Sequence, residues 1–104
     1  MNENKSEMKA IFIVFNQAFY EDVVRVLERC YARGFTSWDP VQGRGSQSGE
    51  PHYGSHAWPV LNGAIMTIVE ESRVDTVLEL LGQLNESAPE QGLRAFVLPV
   101  EKML

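Results

Sequence analysis

Two short runs, Met8–Phe15 (MKAIFIVF) and Ala64–Glu70 (AIMTIVE), are apolar at nearly every position and constrain the fold more than any other part of the chain. A strand alternates its side chains between two faces. Ile11, Ile13 and Phe15 therefore form one apolar row, and Ala10, Phe12 and Val14 form the other. A strand apolar on both sides needs cover on both, so these runs read as central strands of a sheet.

Each run is followed by a helical pattern. After the first, Asn16 is placed as an N-cap, and Phe19, Val23, Val26, Leu27 and Cys30 recur at helical spacing until Gly34 ends the helix. Asp22, Arg25, Glu28, Arg29 and Arg33 take the solvent side with mixed signs. Cys30 falls on the apolar stripe, which makes it a core residue before it is a reactive thiolate. After the second run, Ser72 is placed to cap a helix with Asp75 in its first turn and a stripe of Val74, Val77, Leu78, Leu81 and Leu84. Gly82 weakens the late part of that helix, and Asn85 to Gly92 (NESAPEQG) reads as a polar loop.

Two further segments, Phe35–Gln42 (FTSWDPVQ) and Leu93–Val100 (LRAFVLPV), have strand composition. Pro40 and Pro99 each remove a ladder donor, which assigns both to sheet edges. Asn62-Gly63 is a turn signal before the third strand. The resulting order, βαββαβ, is that of an α+β ferredoxin-like fold: a four-stranded antiparallel sheet with the first and third strands in the middle and two helices on one face. The second face then needs cover from other subunits.

A chain of 104 residues holds one domain, placed here at residues 8–104 after a mobile polar tail at 1–7. A net charge of -5 argues against nucleic acid as a partner. One cysteine fits a reducing, cytoplasmic setting. No run is long and apolar enough for a membrane helix, and MNENKSE lacks the apolar core of a signal peptide, so an integral membrane protein is not expected.

The stretch from Val41 to Leu61 is long, polar and rich in glycine, and it carries both histidines. Such loops on a rigid scaffold are where binding resides. In one reading Gly43, Gly45 and Gly49 expose backbone N–H groups to an anion, Gln47 donates to a base or carboxylate, and Arg44 or Arg94 supplies charge. The plainer reading is a flexible connection that uses glycine for its turns. A second binding reading takes His52 and His56, with Glu50, Asp39 or Tyr53, as ligands of a divalent transition metal shared between subunits; its plainer counterpart is two surface histidines. Trp58-Pro59 suits packing of the returning loop, and Tyr53 suits contact with a protein partner. No Ser/His/Asp spacing, paired-carboxylate motif or Walker lysine is present, so an enzyme is not expected.

The segment Val41-Gln42-Gly43-Arg44-Gly45-Ser46-Gln47-Ser48-Gly49 resembles the VxGxGxQxG motif of PII signalling proteins, at the point where their long T-loop leaves the second strand. The opening MKAIFIV and the ending GLRAFVLPV are similar to the family's first strand and last loop-to-strand segment. The resemblance implies a homotrimer that binds a small effector, an adenine nucleotide or other small anion, in clefts between subunits and signals through a T-loop at about 43–60. It assigns the effector to Gly43, Arg44, Gly45, Gln47 and Gly49, with Gly92 and Arg94 from the last loop. Basic residues usual in the family are replaced by Ser46, Ser48 and the Leu93-Arg94 pair. The trimeric CutA-type proteins, similar in architecture, imply the alternative: a metal-binding or metal-tolerance role for His52 and His56.

Overall fold

The structure, a computed structural model, describes residues 7–41, 43–44, 51–52, 61–88 and 92–104. Strand β1 (Met8–Asn16) leads through a 3₁₀ turn at Gln17–Phe19 into helix α1 (Tyr20–Arg29). Strand β2 (Phe35–Val41) is followed by two-residue strands β3 (Gly43–Arg44) and β4 (Pro51–His52). Strand β5 (Asn62–Glu70), helix α2 (Glu71–Ser87) and strand β6 (Arg94–Pro99) complete the fold. The main sheet is antiparallel in the order β2-β5-β1-β6, with a separate small ladder joining β3 and β4. The two doubly apolar runs are its central strands and the two proline-bearing strands are its edges, as expected.

Register explains the layering. Ile11, Ile13 and Phe15 lie opposite Thr67, Ile65 and Gly63 on the face covered by the helices, where all three are fully buried. Val23, Val26 and Leu27 of α1 and Val74, Val77 and Leu81 of α2 close this core. Complete burial of one such side chain contributes about 1.5–3 kcal/mol. Thr67, the polar member of the layer, donates its hydroxyl to Gly34 O at 2.7 Å, which removes the cost of an unpaired buried group.

The opposite face carries Trp38 from β2, Ala64, Met66 and Ile68 from β5, Ala10, Phe12 and Val14 from β1, and Arg94, Phe96 and Leu98 from β6. Phe96 is 53% exposed, Leu98 46% and Trp38 45%, so a broad apolar surface is open in the single chain.

Several boundaries differ from the sequence expectation. Asn16 caps, but it caps the 3₁₀ turn: its Oδ1 accepts from Ala18 N–H at 2.8 Å, and α1 begins only at Tyr20. Helix α1 stops at Arg29, well short of Gly34. Tyr31 adopts φ 60°, and the N–H groups of Tyr31 and Ala32 donate to Glu28 O and Leu27 O. That is a Schellman ending with tyrosine at the left-handed position where glycine is usual, and it buries Ala32. Asn62-Gly63 is not a turn. Both residues belong to β5, paired with Asn16 and Phe15, and glycine is needed because a Cβ at 63 would stand 2.9 Å from the Phe15 ring.

Ser72 does not cap α2, because β5 passes into the helix without a loop: Glu70 holds the cap position with extended backbone and no side-chain bond. The N–H of Glu71 instead donates to Glu7 O at 2.8 Å, so Glu7 is tied to the fold, while residues 1–6 of the expected tail lie outside the described residues. Asn85, Glu86 and Ser87 continue the helix, with Ser87 Oγ donating to Leu84 O at 2.6 Å. β6 starts at Arg94, one residue later than expected.

Candidate functional site

The second strand and the third strand are joined by the long glycine-rich stretch, and the roots of that stretch are held closely. Val41 pairs with Asn62, which in turn pairs with Asn16, so three strands meet at one end of the sheet. Asn16 and Asn62 are both buried there. Gln17 ties down the departing and the returning root together. Its Nε2 donates to Asp39 Oδ2 at 3.0 Å, just before the departing root, and its backbone N–H donates to Leu61 O at 2.8 Å on the returning one. Beyond the roots, Gly43 pairs with His52 and Arg44 with Pro51, so the stretch begins as a two-stranded arm.

Of the residues expected to meet an effector, Gly43 and Arg44 lie in that arm, while Gly45, Gln47 and Gly49 lie outside the described residues. Gly92 and Arg94 sit at the same end of the sheet, at the entry to β6. Gly92 has φ 76°, a left-handed conformation that favours glycine. Leu93 behind it is buried, and Arg94 Nη1 donates to Leu93 O at 3.3 Å while the side chain stays exposed. Arg94, Val14, Ala64 and Trp38 form one row across the sheet. Three strand spacings, roughly 14 Å, separate the ends of that row. The loop root and the Gly92–Arg94 corner thus lie at one end of the sheet, on its opposite edges.

The metal reading gains nothing here. His52 is placed in β4, whereas Glu50, His56 and Tyr53 lie outside the described residues, as do Trp58 and Pro59. Among the described residues no group of three or more histidine, cysteine, aspartate or glutamate side chains could hold a metal ion. Asp39, the remaining candidate ligand, is engaged with Gln17.

Cys30 is buried, and burial pushes its thiol up from the usual range; the nearby Arg29 and Arg73 charges oppose this without cancelling it. It is a core residue, as its stripe position implied. Sequence reasoning missed Gln17. Half of its role rests on a backbone N–H, which residue identity does not reveal, and Asp39 was read only as a candidate ligand. No helix among the described residues is long and apolar enough to cross a membrane.

The fold is shared with several solved structures. One is CPII, a nitrogen regulatory PII-like protein from Thiomonas intermedia bound to ADP, AMP and bicarbonate. It is 21% identical with a TM-score of 0.74, over 89% of this chain and 85% of that one. A PII-like signalling protein from Thermus thermophilus is 27% identical with a TM-score of 0.59, over 91% of this chain and 88% of that one. PII of Arabidopsis thaliana bound to citrate is 17% identical with a TM-score of 0.67, over 94% of this chain and 79% of that one. No curated protein matches the sequence. The sequence model of the nitrogen regulatory protein P-II family matches residues 8–104, from the first residue of β1 to the last of the chain. On that match, with the βαββαβ sheet and the rooted loop between its second and third strands, the chain belongs to the nitrogen regulatory protein P-II family.

Proposed function

We propose that this protein is a PII-type sensor, without catalysis of its own, that binds a small effector between copies of the chain and reports it through the loop at about 43–60. The observation that carries this reading is that the Gly43-Arg44 root and the Gly92–Arg94 corner, the two half-sites of this proposal, lie at one end of the sheet but on opposite edges. A ligand that touches both needs the Gly43-Arg44 root of one copy and the Gly92–Arg94 corner of a neighbour. Gly45, Gln47 and Gly49 extend the first half-site in this reading. The effector is an adenine nucleotide or other small anion, by analogy with the ADP, AMP and bicarbonate of the Thiomonas protein. Arg44 and Arg94 are the charges available for it.

The open apolar face supports assembly. Burying Trp38, Phe96 and Leu98 against two other copies removes a surface that a single soluble chain rarely exposes. The assembly is a homotrimer, three chains of 11.7 kDa, or about 35 kDa, in a reducing cytoplasm. A protein partner reads the loop, and effector binding shifts the population of loop states.

Calorimetry with ADP, AMP and bicarbonate, singly and together, tests the effector. Saturable binding of at least one is expected, and silence from all three would sink the reading. A Gln17→Ala variant, which releases Asp39 at the departing root from its side-chain tie, should keep its fold and change the effector's affinity severalfold.

A further inference from the structure

Helix α1 ends at the pole of the sheet opposite the loop, beside the start of α2, and this end has a composition that packing does not explain. Tyr31 is 69% exposed in a left-handed conformation. The guanidinium of Arg73 lies 5.5 Å from its ring centroid and that of Arg33 lies 5.9 Å away. Arg73 Nη1 also donates to Cys30 O at 3.0 Å, which occupies the negative end of the helix. That bond uses one of the five Arg73 N–H donors, and no other hydrogen bond joins its guanidinium to the described residues. Arg33 makes the ring contact alone among the described residues. No carboxylate among the described residues lies in a salt bridge with either guanidinium, although the chain carries fourteen acidic residues.

We propose that Tyr31, Arg33 and Arg73 form a docking site for an acidic, extended segment of a partner protein. Carboxylates of that segment fork onto the two guanidiniums, and an adjacent apolar side chain lies against the exposed phenol. Charge complementarity selects the occupant: two guanidiniums with no carboxylate partner among the described residues, gathered on an aromatic ring, match acid next to apolar residues. A helix end whose central ring is 69% exposed is a poor site for a small molecule, which needs a concave pocket to bury most of its surface. The site is separate from the loop, so it does not rest on the effector reading.

The test uses the full chain and a fluorescein-labelled peptide with blocked termini, Glu-Phe-Glu-Glu-Phe-Glu, followed by anisotropy. Saturable binding that weakens with added salt is expected, with Arg33→Ala and Tyr31→Gly each weakening it at least fivefold. Arg73→Lys keeps the charge but loses the fork and should weaken binding to a similar extent. Tyr31→Gly places glycine where the backbone favours it, so this variant folds even where an Arg73 change disturbs the helix end. Equal binding by wild type and the variants overturns the proposal. So does tighter binding of a Lys/Phe peptide. A ten-nucleotide single strand that binds more tightly than the acidic peptide, with the same dependence on Arg33, replaces it with a phosphate-backbone site.

Discussion

Replacing Gly63 with alanine challenges the closest approach at the root of the loop. The added Cβ would come 2.9 Å from Cε2 and 3.0 Å from Cζ of Phe15. Phe15 is 1% exposed and directly opposite in the β1–β5 register, so its ring has little room to withdraw. Forcing a methyl group into a packed core costs about 1–3 kcal/mol. Reduced freedom in the unfolded chain offsets about 0.4–1 kcal/mol of this, leaving a net loss of about 1–2 kcal/mol. For a domain of this size the melting temperature should fall by roughly 10 °C. Urea unfolding followed by circular dichroism measures the loss, with protomer concentration held fixed because assembly couples to stability. In a Phe15→Leu background, where the clashing ring is gone, the same substitution should cost at least about 1 kcal/mol less. A Gly63→Ala protein as stable as wild type, or a cost unchanged in the Phe15→Leu background, refutes the assigned contact.

Two further outcomes are expected. Gly82→Ala should stabilise the protein by about 0.5–1 kcal/mol in the same urea assay, because glycine in a helix interior is costly and a Cβ there meets nothing within 4 Å. Burial raises the Cys30 thiol above its ordinary value of 9.0, so the folded state holds that proton longer than the unfolded state. Its contribution is complete below that value and is lost as pH rises from there through the folded pKa; Cys30→Ala should therefore lose less stability than wild type between neutral pH and pH 10.

The central strands were legible because burial on both sides leaves a continuous apolar run, and the edges because proline cannot serve an inner ladder. Legibility failed where one residue type serves two physical purposes. Gly63 looked like half of a turn, yet its missing Cβ makes room for Phe15 inside a strand. Tyr31 gave no sign of a helix end, since glycine is the usual occupant of that conformation. Asn85, Glu86 and Ser87 have loop composition but continue a helix whose inner stripe had already committed the chain. At the candidate site, proline already placed the two strands on opposite edges, whereas the register that sets Arg94, Val14, Ala64 and Trp38 in one row became visible only with the sheet assembled.

The direct passage from Glu70 of β5 to Glu71 of α2 bears on how such a chain tolerates changes of length. With no linker to absorb an extra residue, one insertion at the junction turns the helix by about 100°. Val74, Val77 and Leu81 would then rotate away from the core they now close. Between Val41 and Leu61 the roots are pinned by Gln17 and by strand pairing, so residues can be gained or lost there without moving either helix. A change in length is therefore absorbed in the loop, while the sheet on which it is rooted keeps its register.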